Sequence, residues 1–298
     1  MVRRAFALLA DVTDLRNRAA RALGRVSFEE ASVGDLPARL FRPPENGGEP
    51  AGVVFCPAWL VDHRLYTRLC LGLAAAGYHV LAFDFLGEGR APGTTRTSWD
   101  TFIDGRMFYH RRNAENARAA LDALESVVEG GPLALMGHSR GGYQAATVRD
   151  DRVKARVSIQ PFNWILPPAS TFVLPLEKRV HPNTLFISGD LDLVLAPNYF
   201  NDLPMYRAAD PPKAWLSIIG SEHLLPISDL PSVPHWTKDL ILHYATAWLD
   251  YLLRGDSGRA REMVRSRPGV SLLIAHLHEL GLDTRQVLGV EIPRCAPR

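Results

Sequence analysis

The chain has 298 residues, 47% of them hydrophobic, enough to fill the core of one large α/β domain or two average ones. Its 34 basic and 32 acidic side chains leave a formal net charge of +2, which gives no electrostatic ground for a nucleic-acid partner and turns attention to a small, weakly charged ligand. Cys56, Cys70 and Cys295 form neither a Cys-x-x-Cys pair nor an even disulfide framework, as expected of a reducing, cytoplasmic compartment, and no apolar run is long enough to span a membrane.

In chain order, residues 1–25 read as an amphipathic helical extension packed on the domain, with Phe6, Leu9, Ala10 and Val12 at helical spacing and Arg16, Arg18 and Arg21 beyond. Its apolar start runs into Asp11 and Asp14 too soon for a signal peptide. Residues 26–255 then alternate strand-like and helix-like segments, the pattern of a mostly parallel α/β sheet with helices on both faces. An opening hairpin is expected over 26–33 and 36–41. Strands follow at 52–56, 78–85, 132–136, 153–160, 184–188 and 214–219, with helices at 64–76, 99–129, 142–148 and 234–253. Gly255-Asp256-Ser257-Gly258 closes the last helix, and residues 256–298 are expected to form a helical appendage.

The chemistry-bearing motif is Gly137-His138-Ser139-Arg140-Gly141, placed between an apolar strand and a helix-compatible stretch. A serine on so sharp a turn is presented outward with backbone amides nearby for a developing oxyanion, and glycines two residues to either side avoid collisions across the bend. A nucleophilic serine needs a base and a carboxylate to hold that base in one tautomer. Both residue types occur just past predicted strands, in Gly189-Asp190-Leu191-Asp192 and in Gly220-Ser221-Glu222-His223, where parallel sheets gather their chemistry.

On these motifs, residues 26–253 resemble an α/β-hydrolase. The resemblance implies Ser139 as nucleophile, His223 as base and Asp192 as acid, since Gly189 and Asp192 fit the family's Gly-x-x-Asp pattern, with Asp190 as runner-up. Leu81 to Arg90 resembles the family's structural D-x-x-G-x-G turn. Many relatives carry His-Gly after the third strand; here Cys56-Pro57-Ala58-Trp59-Leu60 stands instead, and the implied oxyanion donors are the amides of Trp59 and Arg140. The interval from Pro161 to Asn183 is too short for an elaborate lid. Its apolar side chains, with Phe162, Trp164 and Phe172 beside Trp59, are expected to bind a hydrophobic acyl group or ring; plain packing is the alternative. Trp59 could equally plug the sheet's edge, and the Arg140 guanidinium fits an ion pair better than a substrate carboxylate.

The remaining histidines lack metal-ligand spacing, and Gly87-Glu88-Gly89 is no dinucleotide loop because Pro92 replaces the third glycine. Neither metal nor cofactor is expected. The function expected is a serine hydrolase cleaving a small-molecule carboxylic ester through an acyl-enzyme. An acyltransferase or thioesterase using the same intermediate, and a non-catalytic binding protein, are the alternatives.

Overall fold

Short apolar runs buried on both faces, rather than alternating ones, build the centre of the molecule. The computed structural model describes residues 26–44, 49–86, 106–162, 180–192, 198–224, 226–227, 235–277, 280–287 and 289–291. Six parallel neighbours make the central sheet: β3 (Gly52–Cys56), β4 (His79–Phe83), β5 (Leu133–His138), β6 (Val153–Ile159), β7 (Thr184–Gly189) and β8 (Lys213–Ile218). β1 (Ser27–Val33) and β2 (Leu36–Arg42) form the expected hairpin and join the sheet antiparallel through β4.

The two-residue period of a strand explains the two main cores. Val53 and Phe55 enter one with helices α1 (Thr67–Ala75) and α5 (His235–Arg254), while Val54 and Cys56 enter the other with α2 (Arg106–Val127). α3 (Arg140–Thr147) shares its contacts between the second core and a third, smaller cluster. α4 (Asn198–Ala208), a helix not foreseen from sequence, supplies Met205 and Tyr206 to that third cluster, against Phe186 and Trp215. Each such fully buried large side chain contributes roughly 1.5–3 kcal/mol.

The C-terminal segment departs from expectation. In place of a helical appendage, a single helical turn (α6, Ser257–Ala260) leads to β9 (Val270–Leu277), β10 (Leu282–Val287) and β11 (Val290–Glu291). These continue the sheet antiparallel from β8, completing the order β1-β2-β4-β3-β5-β6-β7-β8-β9-β10-β11. The cause is pairing. β8 would otherwise end the sheet with unsatisfied amides and carbonyls, and β9 meets them while placing Val270, Leu273, Ala275 and Leu277 in the same core as α1 and α5. Packing therefore shows no break at residue 256, and His276 lies on a strand, paired with Asp283 at 2.9 Å. The expected helix over residues 1–25 lies outside the described residues, as does 99–105 of the expected fourth-strand-to-fifth-strand helix.

Candidate active site

The turn between β5 and α3 is strained by its own geometry. Ser139 has φ 55° and ψ −118°, a conformation that costs an L-residue on the order of 1–3 kcal/mol unless its surroundings impose it. They do: the Ser139 N–H donates to the Ile159 carbonyl at 2.8 Å, and its own carbonyl accepts from Phe162 at 2.9 Å and Tyr143 at 3.0 Å. The flanking glycines are required by close approach, as expected. A Cβ on Gly137 would stand 2.3 Å from the Gly141 carbonyl oxygen, and one on Gly141 would stand 2.1 Å from the Cys56 carbonyl oxygen of β3.

Residues from two other strand ends converge on that serine. The β7 turn carries Asp192 and the β8 turn carries His223. His223 Nδ1 lies 2.8 Å from Asp192 Oδ2, and His223 Nε2 lies 3.0 Å from Ser139 Oγ. A carboxylate only accepts, so Nδ1 bears the proton and Nε2 turns a lone pair toward the serine hydroxyl. All three are buried, with exposures of 6% for Ser139, 4% for Asp192 and 7% for His223. Asp190, the other carboxylate in its turn, faces away: it is exposed, and its Oδ1 accepts the Gly220 N–H at 2.6 Å, bracing the two turns against each other.

The two amides singled out for an oxyanion lie on neighbouring elements. Arg140 opens α3, and the partly exposed Trp59 lies in the turn after β3, whose Cys56 pairs with Gly137. The preceding amide, Ala58 N–H, is already committed to Tyr66 Oη at 3.1 Å. The Arg140 side chain is buried, with its guanidinium carbon 5.8 Å from the Phe85 ring centroid. Of the expected pocket residues, Phe162 adjoins the site by its backbone, whose N–H donates to the Ser139 carbonyl; Trp164 and Phe172 lie outside the described residues.

Several groups around the site have contacts that the sequence reading did not foresee. Tyr66 Oη is 2.9 Å from His138 Nδ1, and His138 Nε2 is 2.7 Å from the His223 carbonyl oxygen. Gln160 Nε2 donates to the Glu222 carbonyl at 2.8 Å. Complete burial, then the neighbouring His223, hold the His138 ring well below the usual histidine range. Burial also pushes the Cys56 thiol far up, so this cysteine at the end of β3 is no competing nucleophile. Burial pushes the Asp202 carboxyl on α4 well above the usual carboxylate range, and the charge of Asp192 adds to this, while a hydrogen bond with Ser188, whose Oγ accepts Trp215 Nε1–H at 2.9 Å, opposes it.

Among the described residues, one grouping has metal-ligand atom types: Asp62, His63 and Asp84, all buried. Its atoms are engaged with one another and with arginine. Asp62 accepts from Arg64 through both oxygens, and Asp84 Oδ1 accepts from the His63 backbone N–H at 2.8 Å and stands 2.9 Å from His63 Nδ1. The grouping braces the chain following Trp59. No helix among the described residues is long and apolar enough to cross a membrane.

Comparison with known proteins adds two findings. The model of the Alpha/beta hydrolase family matches residues 53–290. Cutinase 1 of Thermobifida cellulosilytica is 29% identical over 252 residues, covering 78% of this chain and 82% of its own. A cutinase of Thermobifida fusca (strain YX) is 25% identical over 252 residues, 78% of this chain and 71% of its own, and Cutinase 2 of Thermobifida cellulosilytica is 29% identical over 238 residues, 73% and 74% respectively.

Proposed function

We propose, on the premise that this chain belongs to the α/β-hydrolase family, that it is a serine esterase in which Ser139 is the nucleophile, His223 the general base and Asp192 the acid that orients it. Its family and its cutinase relatives make it a hydrolase acting on ester bonds; the residues that do the chemistry and the acyl group they favour are the proposal. The observation that carries it is the unbroken line from Asp192 through His223 to Ser139, at 2.8 and 3.0 Å, ending on a strained, immobilised serine.

In this reading His223 Nε2 takes the Ser139 proton as Oγ attacks the ester carbonyl carbon. The carbonyl oxygen becomes an oxyanion held by the Trp59 and Arg140 amides. The protonated imidazole then gives its proton to the departing alkoxide, leaving an acyl-serine. Water attacks that acyl group with His223 again as base, which returns the serine and releases the acid. Asp192 stays ionised, stabilising the imidazolium and preventing the ring from turning its other nitrogen to the serine. Phe162 beside the serine and the apolar composition of residues 162–176 support a hydrophobic acyl or aromatic substrate. The three cysteines of the sequence, with no Cys-x-x-Cys pair and no even framework, support a cytoplasmic setting.

The test is a panel of p-nitrophenyl esters of rising acyl length, run beside thioester and amide analogues and with added alcohols to detect transfer. Hydrolysis is expected to dominate and to favour medium chains. Asp192→Asn should lower kcat by about ten-thousand-fold, and a fluorophosphonate should label the native protein but not Ser139→Ala. Full esterase activity in Ser139→Ala overturns the proposal.

A further inference from the structure

The buried contacts around the site contain a second line of hydrogen bonds, and its polarity is determined at every link. The His223 backbone oxygen can only accept, so His138 Nε2, 2.7 Å away, carries a proton. A fully buried imidazole beside a second imidazole, ring centroids 4.9 Å apart, is neutral, which leaves Nδ1 as a bare acceptor. The Tyr66 hydroxyl, 2.9 Å from Nδ1, therefore donates to it, and its oxygen lone pair receives the Ala58 N–H at 3.1 Å. The three bonds span 8, 72 and 85 residues of sequence, and the Gln160 side chain adds a further hydrogen bond to the His138 ring.

The ends of that line are what give it meaning. Ala58 precedes Trp59, His138 precedes Ser139, and the final carbonyl belongs to His223 itself. Packing alone asks for none of the polar atoms, since a phenylalanine and an aliphatic residue would fill the same volume without the desolvation that a buried hydroxyl and imidazole incur. A parallel clamp comes from Gln160, which follows β6 and whose amide holds the adjacent Glu222 carbonyl at 2.8 Å. Two successive peptides under the base are thus held by side chains from the ends of β5 and β6.

Resting on the triad reading above, we propose that Tyr66 and His138 are positioning residues, forming a strut that sets the spacing of the oxyanion turn, the nucleophile and the base through the bonds from Ala58 to Tyr66 to His138 to the His223 carbonyl. The strut touches no substrate atom. Its effect falls on the transition state, because a misplacement of about 1 Å between base and nucleophile lowers rate on the order of a hundredfold while leaving ground-state binding to other groups.

Tyr66→Phe is the sharpest perturbation, since the ring keeps its contacts with Phe55 and His138 and loses only the hydroxyl. For p-nitrophenyl ester hydrolysis the expected result is a kcat lower by about tenfold to a hundredfold, KM within about twofold, and fluorophosphonate labelling of Ser139 slowed by a similar factor. A lowered Tm with wild-type kcat per labelled enzyme means a merely structural hydroxyl and overturns the strut. A second readout needs no variant: ¹⁵N NMR of the histidine-labelled native protein should find His138 as the Nε2–H tautomer, not titrating between about pH 5 and 8. A Nδ1–H or titrating ring overturns the proposal, whether or not Tyr66→Phe folds. Ser139→Ala is assayed alongside. If it is inactive while Tyr66→Phe keeps wild-type kcat, the strut alone fails; if it is fully active, the triad reading fails and the strut with it.

Discussion

Replacing Ser139 by glycine should give a more stable protein than replacing it by alanine, although both are inactive. Either change removes Oγ and its 3.0 Å contact with His223 Nε2, so that loss cancels in the comparison. What remains is the Cβ. At φ 55° and ψ −118° alanine retains a strain of about 1–3 kcal/mol, which glycine releases. Against this, glycine is disfavoured by about 0.5–1 kcal/mol through the greater freedom of its unfolded chain. The backbone has little room to relax, because its amide and carbonyl are held by Ile159, Phe162 and Tyr143. The expected net difference is about 1 kcal/mol in favour of glycine, or roughly 2 °C in Tm for a chain of this length. Urea midpoints at equal slope, with calorimetry in parallel, measure it. A Ser139→Ala protein as stable as Ser139→Gly, or more so, would refute the claim that the nucleophile stores backbone strain.

Three further expectations follow from buried groups. Gly141→Ala places a methyl 2.1 Å from the Cys56 carbonyl oxygen, a backbone atom that no rotamer change can move, so β3 and α3 must separate by about an ångström; activity should fall on the order of a hundredfold and stability by roughly 1–3 kcal/mol, read by ester hydrolysis and denaturation, and near-native values in both would contradict it. Asp202 is raised above the carboxylate value of 3.8, so its native protonation stabilises fully below that pH and the benefit is lost as pH rises through the folded value. Asp202→Asn should therefore gain on wild type as pH rises, by up to about 1.4 kcal/mol per unit, in denaturation series; an unchanging difference would show that the native carboxyl ionises normally. His138 has the opposite sign. Held below the ordinary 6.5, it leaves the native state unable to take a proton that the unfolded chain binds, so stability is full above that value and is lost as pH falls. His181, lowered to about 4 by burial and then by nearby arginines, acts in the same direction. Asp202→Asn removes the carboxyl that acts in the opposite sense, so the loss below 6.5 should be read in that variant, and a flat profile there would count against a neutral His138.

Much of the site was legible because its signals are local. An apolar run, a serine between spaced glycines and a helix-compatible stretch lie within a few residues of one another, and the same holds for Gly189 to Asp192 and Gly220 to His223. The chain order of these motifs, and the alternation that makes a parallel sheet, need no distant partner to be recognised. Helix α4 escaped notice because Pro204 stands inside it, where a sequence reading expects a break, and the packing of Met205 and Tyr206 outweighs that local preference. Leu272-Leu273-Ile274 suits helix or strand equally, and the unpaired edge of β8 decides for strand. Which of two aspartates in one turn faces the base is likewise a matter of tertiary geometry: Asp192 meets His223 and Asp190 meets Gly220. The bonds from Tyr66 through His138 to residue 223 join segments 72 and 85 positions apart. The sequence by itself determined the strands from β1 to β8, the tight serine turn and the order of the reactive residues, since each depends on neighbours along the chain. Only the folded sheet decided the spacings of about 3 Å between them, because hydrogen bonds of that length exist only where strand ends have been brought side by side.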